Sequence, residues 1–160
     1  MIVMKFYHKE QELHFDNNIY KATCKVRNEI NKRRRIDEIV KSLPLSGNRE
    51  PYYPRKFPTG AWKVKKPIWT NDIDYWPVKI PTNARRAVFT WTTKDNKYHE
   101  KSGSLQIDSF YHLHFAKNSS TTLGCIRLDS KDDAERIAKK IEYFISKDNQ
   151  VWLEVFVSKD

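Results

Sequence analysis

Short alternating runs, an amphipathic helix near the C-terminus and a length suited to one domain predict a mainly β fold of the α+β kind, with two or three helices packed on the sheet. The alternation is plainest in Val151-Trp152-Leu153-Glu154-Val155-Phe156-Val157, where every second side chain is apolar and can face a core. The helix shows as an apolar stripe of Ala134, Ile137, Ala138, Ile141 and Ile145 at steps of three and four. The chain has 160 residues, 39% of them hydrophobic and 13% aromatic, enough for one core and too apolar for a disordered tail.

Residues 1–7 read as a strand, and residues 13–26 as a hairpin turning at Asp16-Asn17-Asn18. A helix is expected over residues 27–43, where Ile30, Ile36, Ile39, Val40 and Leu43 share a face and Pro44 stops the run. Residues 45–58 are loop. Residues 61–64, 76–80, 87–92 and 105–115 are strand candidates, rich in β-branched and aromatic types. A polar turn at 118–122 precedes the last helix, which Ser130 can cap with Asp133 three residues on. The whole, residues 1–160, is expected to be a single domain. Strands and a helix fill 1–52, and the chemistry lies in about 53–160.

The formal net charge of +10 favours polyanionic partners or simple solubility. The densest basic run, Lys32 to Arg35, is interleaved with Glu29, Asp37 and Glu38, as on a solvated helix face. No run approaches the roughly 18 apolar residues of a membrane span, so none is expected. The apolar start is broken by Lys5, a poor match to a Sec-type signal. The two cysteines make no disulfide framework and no CxxC pair. Cys24 sits in the alternating run 19–26 and reads as an ordinary strand residue.

Cys125 is different. The segment Tyr111-His112-Leu113-His114-Phe115 delivers two histidines to one strand face, and a polar loop then leads to Gly124-Cys125. A thiol with a pKa of about 8.5 needs a base to react at neutral pH. An acyl-transfer site also needs backbone N–H donors, which a Gly before the nucleophile helps the chain to present. His114, nearer the loop, is the expected base, with His112 lining the pocket or competing for the role. Thr122 and Gly124 serve as turn residues, as walls of an oxyanion hole, or both. Arg127 can either pair structurally with Asp129 or Asp133 or clamp a substrate carboxylate.

Gly124-Cys125-Ile126-Arg127-Leu128 resembles the Gly-Cys-Ile-Arg-Leu/Met core of the L,D-transpeptidase (YkuD-type) motif, with Thr122 where that family has Ser or Thr. Phe57-Pro58-Thr59-Gly60-Ala61-Trp62-Lys63-Val64 is similar to the Thr-Pro-Thr-Gly strand that enters the family's catalytic half. Leu123 replaces the usual His before Gly-Cys, Phe115 replaces the Gly after the catalytic His, and the stretch between His114 and Cys125 is short. These features are closer to the compact, effector-like branch. The resemblance implies an L,D-transpeptidase-like β-sandwich and a bacterial enzyme of peptidoglycan. Cys125, His114 and Gly124 would be catalytic; Arg127, Thr122 and His112 would contact substrate. The activity would be transpeptidase or carboxypeptidase action on stem peptides through a Cys thioester, by a monomer needing no metal or cofactor and no nucleic acid. It would act in the periplasm or extracellular wall, reached without a Sec signal. Two alternatives stand beside it: a zinc-dependent hydrolase using His112 and His114, and a non-catalytic basic module for nucleic acid or another polymer.

Overall fold

The computed structural model describes residues 1–24, 56–94, 97–109, 111–116 and 124–160. The expected helix at 27–43 lies outside them. The fold is mainly β, with a curled mixed sheet and, among the described residues, one helix.

The first three strands follow the alternation: β1 (Ile2–Tyr7), β2 (Glu12–Phe15) and β3 (Asn18–Thr23) form a meander. Asp16 and Asn17 make the two-residue turn with φ of 49° and 62°, a conformation these two residue types tolerate better than most. Beyond them come β4 (Gly60–Val64), β5 (Ile68–Trp69), β6 (Val78–Pro81), β9 (His112–Phe115), β10 (Ile126–Leu128) and β11 (Val151–Phe156). Together they complete a nine-stranded sheet in the order β4-β11-β1-β2-β3-β10-β9-β6-β5. Its pairs are antiparallel except β1 with β11 and β9 with β10. The sheet curls until β4 meets the end of β6. There Val64 bridges Thr82, and the N–H groups of Lys65 and Asn83 donate to the carbonyls of Pro81 and Lys63 at 2.9 and 3.0 Å. The remaining strands, β7 (Arg86–Lys94) and β8 (Lys97–Asp108), pair with each other as a two-stranded ribbon.

Helix α1 (Lys131–Ser146) begins as its sequence requires. Ser130 accepts a hydrogen bond from the Asp133 N–H at 3.1 Å, and Asp132 and Asp133 place negative charge at the positive end of the helix dipole. Its stripe of Ala134, Ile137, Ala138 and Ile141 is fully buried with Met4, Phe6, Leu13, Ile80, Leu113, Ile126, Leu128 and Leu153. That core occupies one face of the sheet, and the opposite face is where the chemistry-bearing residues point.

The chain departs from the sequence expectation in several places, among them β5 and the first part of β8, which are not expected as strands. The run 105–115 is two strands, because residues up to Asp108 pair with β7 whereas His112–Phe115 lies between β6 and β10. The Tyr111 carbonyl, near the break, accepts from the Thr82 hydroxyl at 2.7 Å. The strand expected from 76 starts only at Val78, since Pro77 has no N–H to give a ladder. The segment after Gly124-Cys125 is a short strand, β10, before it becomes helix.

No helix of the described residues is long and apolar enough to cross a membrane.

Ile137 is fully buried beneath the sheet. Ile137→Ala is expected to cost about 2–5 kcal/mol. Urea unfolding should show this as a lower midpoint at an unchanged slope.

Candidate active site

The register of three neighbouring strands fixes the site. Lys79 of β6, His114 of β9 and Arg127 of β10 are direct partners across the sheet, and Pro81 and His112 are partners two residues along. Partnered residues share a face. Ile80, Leu113 and Ile126, which alternate with them, are fully buried in the core. Lys79, His112, His114 and Arg127 therefore stand on the other face. Cys125 immediately precedes β10, and its Sγ accepts a hydrogen bond from the His112 N–H at 3.4 Å. The structure thus brings Cys125, His112 and His114 together.

All three are nearly covered, at 8%, 9% and 8% exposure. Tyr75 contributes the cover. It meets the rings of His112 and His114 edge-on, with centroids 6.0 and 5.3 Å away, and the Lys79 ammonium lies 4.9 Å over its own ring. The Tyr75 hydroxyl is pushed up from its ordinary pKa, first by burial and then by Cys125, Asp74 and Asp72. The sequence reading missed Lys79 and, above all, Tyr75. It sits in a polar loop between β5 and β6, and only the tertiary fold carries it onto the histidines. Turn bonds brace that loop: Thr70 N–H to the Pro77 carbonyl and Tyr75 N–H to the Asp72 carbonyl, each 3.0 Å.

The two histidines differ. The Nδ1–H of His114 donates to the Phe115 carbonyl at 3.2 Å. A carbonyl can only accept, so this bond places the proton on Nδ1 and leaves Nε2 as a proton acceptor. Burial lowers the His114 pKa; the Phe115 carbonyl opposes this, Arg127 lowers it further, and Asp74 raises it. Nδ1 of His112 is buried and finds no hydrogen-bond partner among the described residues. Its pKa is pushed down to about 4, first by burial and then by Lys79, with His114 and Lys65 adding to the effect against the Tyr111 carbonyl. Both shifts favour the neutral imidazole, and the bond from His114 to the Phe115 carbonyl is an orienting bond of the kind that a general base uses.

Gly124 has φ of +117°, a conformation that L side chains rarely adopt, so the turn into Cys125 calls for glycine. Arg127 donates Nε and Nη2 to the Ala116 carbonyl at 3.1 and 2.8 Å. It thereby braces the point where the chain leaves β9, and its guanidinium lies 5.7 Å from the Phe115 ring centroid. The Asp133 N–H donates to the Ser130 cap of the helix, as described above. Thr122 lies outside the described residues.

A groove of about 610 Å³ opens between the β5–β6 segment and the start of α1, lined by Trp69, Thr70, Asn71, Trp76, Pro77, Lys131 and Glu135. Trp76 adjoins Tyr75, but neither Cys125 nor the histidines line it. Among the described residues no group of three His, Cys, Asp or Glu is placed to hold a metal ion, so the zinc alternative finds no ligand set there.

No family model, curated protein or solved structure matches the chain. The case for function therefore rests on the site itself.

The low His112 pKa has a consequence for stability. The unfolded chain takes up this proton near pH 6.5, the folded chain only near 4. Over that interval the unfolded state binds more protons, so stability is intact above about pH 6.5 and is lost as pH falls toward 4. NMR of the ring protons should put the His112 midpoint near 4. A midpoint at 6 or above would show that the ring is not held neutral.

Proposed function

We propose that the protein is a cysteine acyltransferase of the L,D-transpeptidase type, acting on the stem peptides of bacterial peptidoglycan. The observation that carries this is the Cys125 thiol held on the His112 N–H, with His114 two residues along the same strand face and its Nδ1 tied to a backbone carbonyl, in a Gly-Cys-Ile-Arg-Leu context. The order of elements also supports it: a Gly-led strand, a histidine strand, Gly-Cys, a helix and a closing strand. The sandwich architecture belongs to the same proposal, as does action in the periplasm or wall.

In the proposed reaction Nε2 of His114 takes the thiol proton and Sγ attacks the carbonyl between an L-centre, such as that of meso-diaminopimelate, and D-Ala. A C–S bond forms and the carbonyl oxygen carries the negative charge. The C–N bond then breaks, His114 returns the proton to the departing amine, and D-Ala leaves a thioester on Cys125. Water releases a shortened peptide; an acceptor amine gives a crosslink. Lys65, Lys79 and Arg127 all act electrostatically on the histidines. The same positive surroundings favour a thiolate and draw in a substrate with free carboxylates. Arg127, engaged with Ala116, shapes this end of the site.

Incubation with purified tetrapeptide muropeptides, read by mass spectrometry, should show loss of D-Ala or its exchange for an added amine. Cys125→Ala should abolish both products, and alkylation should do the same to the wild type. Unchanged muropeptides with the wild-type protein, or turnover retained by Cys125→Ala, would overturn the proposal.

A further inference from the structure

Cys24 does more than an ordinary strand residue. Buried at the end of β3, its thiol donates to the Gly124 carbonyl at 3.3 Å, and its sulfur accepts the Phe57 N–H at 3.2 Å. The Phe57 carbonyl in turn accepts from Nε2–H of His8 at 2.9 Å. One sulfur thus joins three separate segments, and one of these bonds ends on the peptide that carries the nucleophile.

That peptide is the Gly124–Cys125 amide. It is planar and trans, so fixing its carbonyl direction also fixes its N–H direction, on the opposite side. Gly124, at φ +117°, has more backbone freedom than any other residue type and would not hold this plane unaided. The Cys24 thiol supplies a restraint.

We propose that Cys24 is a positioning residue for acyl transfer at Cys125. By holding the Gly124 carbonyl it sets the angle of the Cys125 N–H, the donor nearest to any carbonyl that the Cys125 sulfur attacks. This rests on the proposed role of Cys125 as an acyl acceptor. Cys24 neither touches substrate nor shares a face with the histidines: continuing the β3–β10 register sets it opposite Ile126, on the core side. Its effect on the reaction runs through one hydrogen bond.

Two reactions of the same sulfur separate this role from a merely structural one. Acylation of Cys125 by p-nitrophenyl acetate forms a C–S bond, expels p-nitrophenolate and passes through an oxyanion. Alkylation by iodoacetamide displaces iodide at carbon and forms none. Both are followed by intact mass and peptide mapping in the full chain. Cys24→Ala should slow acylation at least about tenfold, in the manner of a misaimed oxyanion donor, with alkylation unchanged. Cys24→Ser, whose hydroxyl can donate to the same carbonyl, should acylate close to the wild-type rate. Alkylation at the wild-type rate also reports that the Cys24→Ala protein is folded around Cys125. Equal acylation by Cys24→Ala and wild type would overturn the inference alone, as would acylation and alkylation falling together. A wild-type protein that alkylates at Cys125 but never acylates would overturn the acyl-acceptor role, and the inference with it.

Discussion

The site depends on the parallel pairing of β9 with β10. Setting Ile126 against Leu113 and Arg127 against His114 puts one apolar set into the core and brings the end of β10 that carries Cys125 alongside His112. A slip of one residue would turn the histidines into the core and Leu113 out of it. The burial of Leu113 and Ile126 therefore guards the geometry of the reactive face, although neither touches it. A parallel pair needs a crossover rather than a tight turn. Residues 116–125 run between the two strands, and the turn at Gly124 ends that run.

Electrostatics then sorts the residues that this register collects. Two imidazoles flanked by Lys65, Lys79 and Arg127 and covered by Tyr75 are biased toward the neutral form, burial being the largest cause. A neutral ring can take a proton from a thiol, and nearby cations favour the anion that results. The two rings still do not have equal prospects. His114 is oriented by the Phe115 carbonyl, whereas Nδ1 of His112 finds no hydrogen-bond partner among the described residues.

Much of this was legible in the sequence where a local rule decides. Period two marked β1 and β11, the Asp-Asn pair marked the hairpin of β2 and β3, and Ser130 with its apolar stripe marked α1. The two histidines sharing a face with Cys125 nearby followed from strand alternation and Gly-Cys. What was not legible depends on partners distant in sequence. The run 105–115 alternates acceptably throughout, and only its two different neighbours divide it. Tyr75 gave no local sign of covering the histidines 37 and 39 residues later. Cys24 alternates as a strand residue should, and its bond to Gly124 spans 100 residues.

The central claim is that His114 is the base that activates Cys125. Its most direct test is the pH dependence of Cys125 alkylation in wild type, His114→Ala and His112→Ala. Loss of the base should move the His114→Ala profile toward the value of about 8.5 of an unassisted thiol, while His112→Ala keeps the wild-type profile. A profile that moves in His112→Ala and stays in place in His114→Ala would contradict the account.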